Sequence, residues 1–194
     1  MSLFNLYLHL GFRHIADLAG YDHILFISTL CGIYLIKEWK HVLILVTAFT
    51  IGHTITLALA TLRIVIFPVN IIEFLIPVTI FITSISNIIE KKTDYSQRLY
   101  TIKYFTALFF GLIHGLGFSN YLRALLGTEH SIVMPLFAFN VGLELGQIMI
   151  VFCVLTLAYF FIKFLRMPHR EWNLVISGAG AGISLILMIE RWSF

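Results

Sequence analysis

The sequence predicts an all-α, polytopic integral membrane protein that folds as one bundle of six transmembrane helices. Of its 194 residues, 59% are hydrophobic and only 12% are charged, whereas a soluble domain carries about 25% charged residues. Six separate stretches are long and apolar enough to cross a bilayer, and short polar segments divide them. We therefore expect a single transmembrane domain over residues 1–194, without a separate soluble domain.

The polar breaks set the bounds of the spans, because a helix needs about 20 mostly apolar residues to cross the hydrocarbon. The breaks fall at 37–40, 63–68, 90–98, 123–129 and 166–170. They leave predicted spans at 18–36, 42–61, 69–89, 102–120, 134–162 and 173–190. Apolar residues before Gly20 also predict a short N-terminal helix that lies in the membrane interface.

Basic residues are distributed unevenly between the two sides of this predicted bundle. One side receives Lys37, Lys40, Lys91, Lys92, Arg98, Lys103, Lys163, Arg166 and Arg170, and the other receives Arg13, Arg63, Arg123 and Arg191. The positive-inside rule places the first set in the cytoplasm, so both termini are expected outside a bacterial inner membrane. The net charge of +3 is small and spread over loops, which gives no support for nucleic-acid binding.

Acidic and histidine side chains recur inside the apolar runs, although a charge at mid-helix costs about 2.5–3.5 kcal/mol on insertion scales. They are Asp22, His23, His53, Glu73, His114 and Glu144. With a rise of about 1.5 Å per residue, most of them fall within roughly 15 Å of the predicted outer surface. The simplest interpretation is a polar site, open to the outside, that several helices share.

Imidazole nitrogen and carboxylate oxygen together suit divalent metals such as nickel, cobalt and zinc. A single histidine in an apolar helix more often bonds a neighbouring carbonyl, but the group as a whole favours a metal site. The predicted metal ligands are His14, Asp22, His23, His53, His114 and Glu144, with Glu73, Asn140 and Gln147 in supporting positions. Asn140, Glu144 and Gln147 share one helical stripe, which fits either amides that orient a ligand or contacts between helices.

Hydroxyl-bearing residues continue inward from this layer on the second and third predicted spans. They are Thr47, Thr50, Thr54, Thr79, Thr83 and Asn87. They could line a path towards the cytoplasm, although threonine in a membrane helix commonly bonds the carbonyls of its own helix.

Five ordered motifs make the chain resemble the HupE/UreJ family of hydrogenase and urease accessory membrane proteins. The motifs are GFRHI followed by GYDHILF, then FTIGHTITL, EFLIP, GLIHGLGF and FNVGLELGQ, and they span almost the whole chain. The resemblance implies a six-helix permease for nickel or a related divalent ion. It assigns ligand roles to His14, Asp22, His23, His53, His114 and Glu144.

Three functions remain open at the level of sequence. The first is a divalent-metal permease whose partners are the ion and membrane lipid, with a homo-oligomer left open. The second is an intramembrane metal-dependent hydrolase or transferase, in which a bound metal activates water near the outer leaflet. The third is a redox subunit with two histidines on a haem, which the neighbouring carboxylates disfavour.

Overall fold

The computed structural model describes residues 2–90, 97–126 and 131–192, and across these ranges the chain is helical without a strand. Within the described ranges a 3₁₀ turn at Ile36–Glu38 precedes α3. The α-helices are α1 (Leu3–Ile15), α2 (Asp22–Cys31), α3 (Trp39–Thr61), α4 (Val69–Ile89), α5 (Gln97–Gly117), α6 (Ser119–Leu126), α7 (Val133–Lys163) and α8 (His169–Glu190).

Four helices of the described chain are long and apolar enough to cross a membrane: α3, α4, α7 and α8. The pair α5 and α6 makes a fifth candidate span, bent by 50° at the break between them. The predicted total of six spans is not confirmed. The predicted first span, 18–36, is α-helical only in the 10 residues of α2, and such a helix is only about 15 Å long.

Turn chemistry at both ends of α2 explains its short length. Before the helix, the Asp17 carboxylate accepts a hydrogen bond from the Ala19 N–H at 3.0 Å, which favours a turn. After it, Leu35 is extended, and its N–H donates to the Glu38 carboxylate at 2.9 Å. A count of apolar residues does not detect these side-chain contacts, so it predicts a helix that is too long.

Helix α1 is an integral part of the bundle, since it packs lengthwise against α7. Gly11 and Ile15 are buried in this interface. A Cβ atom added at Gly11 would overlap the carbonyl oxygen of Phe139, and one added at Gly142 would overlap that of Leu8. The two backbones therefore approach as closely as glycine allows. The N-terminal helix expected in the interface exists, but it contacts α7 along its length.

Helices α3 and α5 cross in the same manner. A Cβ atom added at Gly52 would overlap the carbonyl oxygen of Leu108, and one added at Gly111 would overlap that of Phe49. Glycines spaced four residues apart on α5 and α7 thus lie at close contacts between helices.

The two ends of the bundle differ in chemistry. At one end, which we call the histidine end, α1, α3, α5 and α8 finish and α4 and α7 begin. At the other, which we call the basic end, Arg170 donates to the carbonyl oxygen of Glu90 at 2.8 Å and so caps α4. Lys103 lies beside it and forms an ion pair with the Glu90 carboxylate at 2.8 Å.

Candidate metal centre

Three histidines from three helices meet at the histidine end. They are His14 at the end of α1, His23 in the first turn of α2, and His53 in the second half of α3. Each offers one ring nitrogen, and these three atoms lie within 4.8 Å of one another. We call these three residues the histidine cluster.

The glycine crossings bring these rings together. His14 is three residues beyond Gly11, where α1 touches α7, and His53 follows Gly52, where α3 touches α5. Because the backbones are nearly in contact at the glycines, side chains one turn away or less come within reach of the neighbouring helix. The sequence places a histidine next to each crossing, and the fold converts that placement into a cluster.

His114 on α5 adds a fourth ring to the same layer. Its ring centroid lies 5.2 Å from that of His23, and its Nε2 lies 3.0 Å from the Thr79 hydroxyl. Its Nδ1 is buried and has no hydrogen-bond partner among the described residues. Thr79 therefore orients the ring, as a neighbouring group orients a metal ligand, and one nitrogen is left available.

Several buried nitrogens of these rings have no hydrogen-bond partner within the described ranges. They are Nε2 of His14, Nε2 of His23, both ring nitrogens of His53 and Nδ1 of His114. Buried polar atoms in folded proteins are nearly always satisfied, so such a group at one point calls for an explanation. A divalent metal ion would satisfy several of them at once, because neutral imidazole nitrogen is a preferred ligand of nickel, zinc and copper. The donor set fits a metal.

Aromatic rings pack against the histidines of this layer. Phe118 packs on His14 with ring centroids 4.0 Å apart, and Phe49 lies 5.0 Å from His114. Phe26 lies 5.4 Å from His114 and is 1% exposed. An apolar wall of this kind excludes water and strengthens any coordination within it.

A cavity of about 390 Å³ connects the cluster to the histidine end. Its lining includes His14, His23 and His114 together with Asp17, Asp22, Glu73 and Arg191. Three carboxylates against one guanidinium make this mouth acidic, which raises the local concentration of cations. His53, which is 0% exposed, lies behind the other rings.

The structure places the predicted carboxylate Asp22 at the cavity wall, where its described partner is Arg191. The two side chains form an ion pair at 3.1 Å, and the same guanidinium also donates to the Glu73 carbonyl oxygen at 3.3 Å. Asp22 is therefore adjacent to the cluster without belonging to the group of three ligand atoms.

Glu144, Asn140 and Gln147 form the predicted stripe on α7, but the stripe packs against α3 away from the cavity. Three hydroxyls of α3 donate to it in turn: Thr47 to Glu144 at 2.6 Å, Thr50 to Gln147 at 2.8 Å and Thr54 to Asn140 at 2.5 Å. Of the two interpretations that the sequence left open for the amides, the contact between helices is the one seen here.

The predicted inward path divides between two interfaces. The threonines of α3 face α7, whereas Thr83 on α4 donates to the Thr79 carbonyl, and the Asn87 amide donates to the Thr29 carbonyl. Most of these groups thus bond backbone carbonyls, as threonine commonly does in membrane helices.

Sequence reasoning missed Asp17 and Arg191, both of which line the cavity. Both lie outside the predicted spans' interiors, where a charged residue is unremarkable. Their position depends on how α2 and α8 pack, and no local pattern signals that.

Fold and site together define a polytopic helical membrane protein with a buried polyhistidine centre. The chain belongs to the HupE/UreJ family, because the model of the family described as HupE / UreJ protein matches residues 1–193. This family is linked to nickel handling. No curated protein and no solved structure matches the chain. The family predicted from the five motifs is therefore confirmed.

Proposed function

We propose that this protein is a membrane permease for a divalent transition-metal ion of the nickel type. The observation that carries the proposal is the histidine cluster, in which ring nitrogens from three helices lie within 4.8 Å of one another. A shared metal ion is the ligand that several buried, unpartnered imidazoles can hold in common. Membership of a family linked to nickel handling supports the choice of ion.

In this proposal each polar group near the cluster has a distinct role. Three ligands of the ion are His14, His23 and His53. The fourth ligand is His114, whose ring Thr79 orients. Asp22 and Glu73 attract the cation at the mouth of the cavity, since opposite charge favours its approach. The stripe on α7, including Glu144, stabilises the contact with α3.

The proposal places the histidine end outside the cytoplasmic membrane. The basic end carries Lys37, Lys40, Lys163, Arg166 and Arg170, and basic residues accumulate on the cytoplasmic side of membrane proteins. An ion would thus enter through the acidic cavity from outside and reach the histidines before it crosses the bundle.

An aromatic layer separates the histidines from a second cavity nearer the basic end. That cavity measures about 200 Å³ and is lined by Thr83, Asn87 and Glu90 among others. Phe26 lines it too and lies 5.4 Å from the ring of His114. A permease must move this ring for an ion to pass, so the structure corresponds to a state closed below the histidines.

Nickel uptake into proteoliposomes tests the proposal, with His14→Ala compared against His9→Ala. Both residues lie on α1, but His9 is exposed and outside the cluster, so it controls for the loss of an imidazole. We expect the uptake rate of His14→Ala to fall at least roughly tenfold, because changes beside a metal ligand alone cost about 10–100-fold. His9→Ala should match the wild type.

Equal uptake by wild type and His14→Ala would contradict the proposal. If wild-type protein whose insertion into the membrane is confirmed binds nickel but does not take it up, the result supports the metal site and rejects transport.

The aromatic layer also favours a second candidate, an intramembrane metal-dependent hydrolase. Three histidine ligands and one open position are the arrangement that lowers the pKa of metal-bound water to about 7. The cavity is open towards the histidine end and carries Asp17, Asp22 and Glu73, any of which could accept a proton. A closed floor suits chemistry at a surface better than passage.

Zinc-loaded protein in vesicles of phosphatidylglycerol and phosphatidylethanolamine tests this candidate. Release of a fatty acid or headgroup that His53→Ala abolishes would support the hydrolase. No release, together with uptake of nickel, would reject it.

A further inference from the structure

Another cavity at the histidine end, which we call the arginine cavity, is lined by two arginines and lies beside the metal centre. It measures about 210 Å³ and is formed by the connection between α3 and α4, the start of α4, and the break between α5 and α6. Arg63 and Arg123 both line it, along with Ser119 and Asn120. No acidic side chain of the described ranges belongs to its lining. Two guanidinium groups thus share one concave site to which the described part of the chain contributes no balancing carboxylate.

The guanidinium group of Arg123 has a fixed orientation, and one of its nitrogens lacks a hydrogen-bond partner among the described residues. One of its terminal nitrogens donates to the Asn120 side-chain oxygen at 2.6 Å, which fixes the plane of the guanidinium group. Its Nε is buried and has no hydrogen-bond partner among the residues that the structure describes. A buried N–H donor without an acceptor costs about 1–3 kcal/mol, so this group is expected to meet an oxygen that the described residues do not supply.

Two helix beginnings face the same cavity. Val69 opens α4 after Pro68, with no side-chain hydrogen bond at the cap, and Ser119 opens α6. The first amides of a helix lack partners within the helix, and its dipole is positive at that end. These backbone donors add to the two guanidinium groups and favour an anion at the same point.

We propose that this cavity is a binding site for an oxyanion, namely a phosphate or carboxylate group. Arginine presents a planar fork of donors that matches two oxygens of such a group. The site is separate from the histidine cluster, and Gly117, at the bend between α5 and α6, lines both cavities. The proposal does not depend on metal transport.

Two sources can supply the same oxyanion. Ile66 and Phe67 line the cavity, are largely exposed and lie at the end of the bundle, where a phospholipid could place its phosphate on the arginines and its chains on these residues. A free anion such as inorganic phosphate would use the same donors without the apolar contact.

Two measurements test the proposal. The first is the binding of inorganic phosphate to metal-free protein in detergent. The second compares the binding of lipid to the protein in nanodiscs of phosphatidylglycerol and in nanodiscs of phosphatidylcholine. The test variants are Arg63→Gln and Arg123→Gln. Arg166→Gln is the matched control, because Arg166 shares the left-handed φ of Arg63, 54° against 59°, but lies at the opposite end. His53→Ala is the second control, since His53 belongs to the histidine cluster and does not line this cavity.

We expect phosphate to bind the wild type, Arg166→Gln and His53→Ala alike, and to bind either test variant at least tenfold more weakly. If the wild type binds phosphate weakly but prefers phosphatidylglycerol, and both test variants lose this preference, the lipid is the source of the oxyanion. Equal binding by all variants, or no binding of either probe, would overturn the proposal. Arg123→Lys keeps the positive charge but removes the planar fork of donors. If this variant also binds phosphate weakly and has a normal melting temperature, misfolding is excluded as the cause of the weak binding.

Discussion

His53 carries the argument for a metal at the scale of single residues. It is completely buried, and neither of its ring nitrogens has a hydrogen-bond partner in the part of the chain that the structure describes. A histidine in an apolar helix normally has a hydrogen-bond partner, as His114 has in Thr79. The lack of such a partner supports the proposal that His53 is a metal ligand.

Arg191 gives a prediction at the same scale. It neutralises Asp22 and brings a positive charge to the cavity that leads to the histidines. Because like charges repel and Asp22 would then be free to attract a cation, Arg191→Gln should tighten nickel binding severalfold. Asp22→Asn should weaken it.

Calorimetric titration of the two variants and the wild type measures both effects. Both partners are partly exposed, so the pair itself contributes only about 0–1 kcal/mol to stability and neither variant should unfold. Weaker nickel binding by Arg191→Gln would show that Arg191 supports the site.

At the scale of elements, close crossings between helices position the cluster. The pairs α1/α7 and α3/α5 touch through glycines, and the histidines lie beside those glycines. The bend of 50° between α5 and α6 then places Phe118 over His14. Helix contacts, more than local propensity, therefore determine the geometry of the site.

Gly111→Ala tests these crossings, with Gly178→Ala as the control. The new methyl group at position 111 would overlap the Phe49 carbonyl oxygen, whereas a Cβ atom at position 178 has nothing within 4 Å. We expect Gly111→Ala to destabilise the protein by about 1–3 kcal/mol, as overpacking does. Gly178→Ala should be neutral or stabilising by up to about 1 kcal/mol, because alanine favours a helix.

Melting temperatures in detergent compare these two variants. A Gly111→Ala variant as stable as Gly178→Ala would mean that α3 and α5 do not cross as closely as described here.

The sequence predicted the long helices well and the contacts between polar residues poorly. Continuous apolar runs define α3, α4, α7 and α8, since the length of an apolar stretch is a local property. The length predicted for the first span exceeds that of α2, because the carboxylates of Asp17 and Glu38 favour turns at the two ends of this helix. His14, His23 and His53 were predicted together and do meet, whereas the pairing of Asp22 with Arg191 joins residues 169 positions apart and has no local signal.

The whole molecule has an asymmetry from end to end that fits directional movement of a cation. The histidine cluster and the acidic cavity lie at one end, whereas lysines occur mainly at the other. Between them Phe26 closes the way to the second cavity. In the proposed function, entry, binding and a closed floor therefore follow one another along the bundle.

This asymmetry predicts the topology, with the histidine end outside. A cysteine introduced at exposed Asn120 in a Cys153→Ser background should react in intact cells with a thiol reagent that cannot cross the membrane. A cysteine introduced at Lys40, at the basic end, should react only after the cells are opened. The reverse pattern would place the cluster in the cytoplasm and would be incompatible with uptake through the acidic cavity.

X-ray absorption spectroscopy of the nickel-loaded protein tests the central claim most directly, because it counts the imidazoles around the ion. The account predicts one ion per chain with at least three imidazole nitrogens at about 2.0–2.1 Å, as for other imidazole-bound divalent metals, and loss of this signal in His53→Ala. An ion bound by oxygen alone, or a spectrum that His53→Ala leaves unchanged, would contradict it.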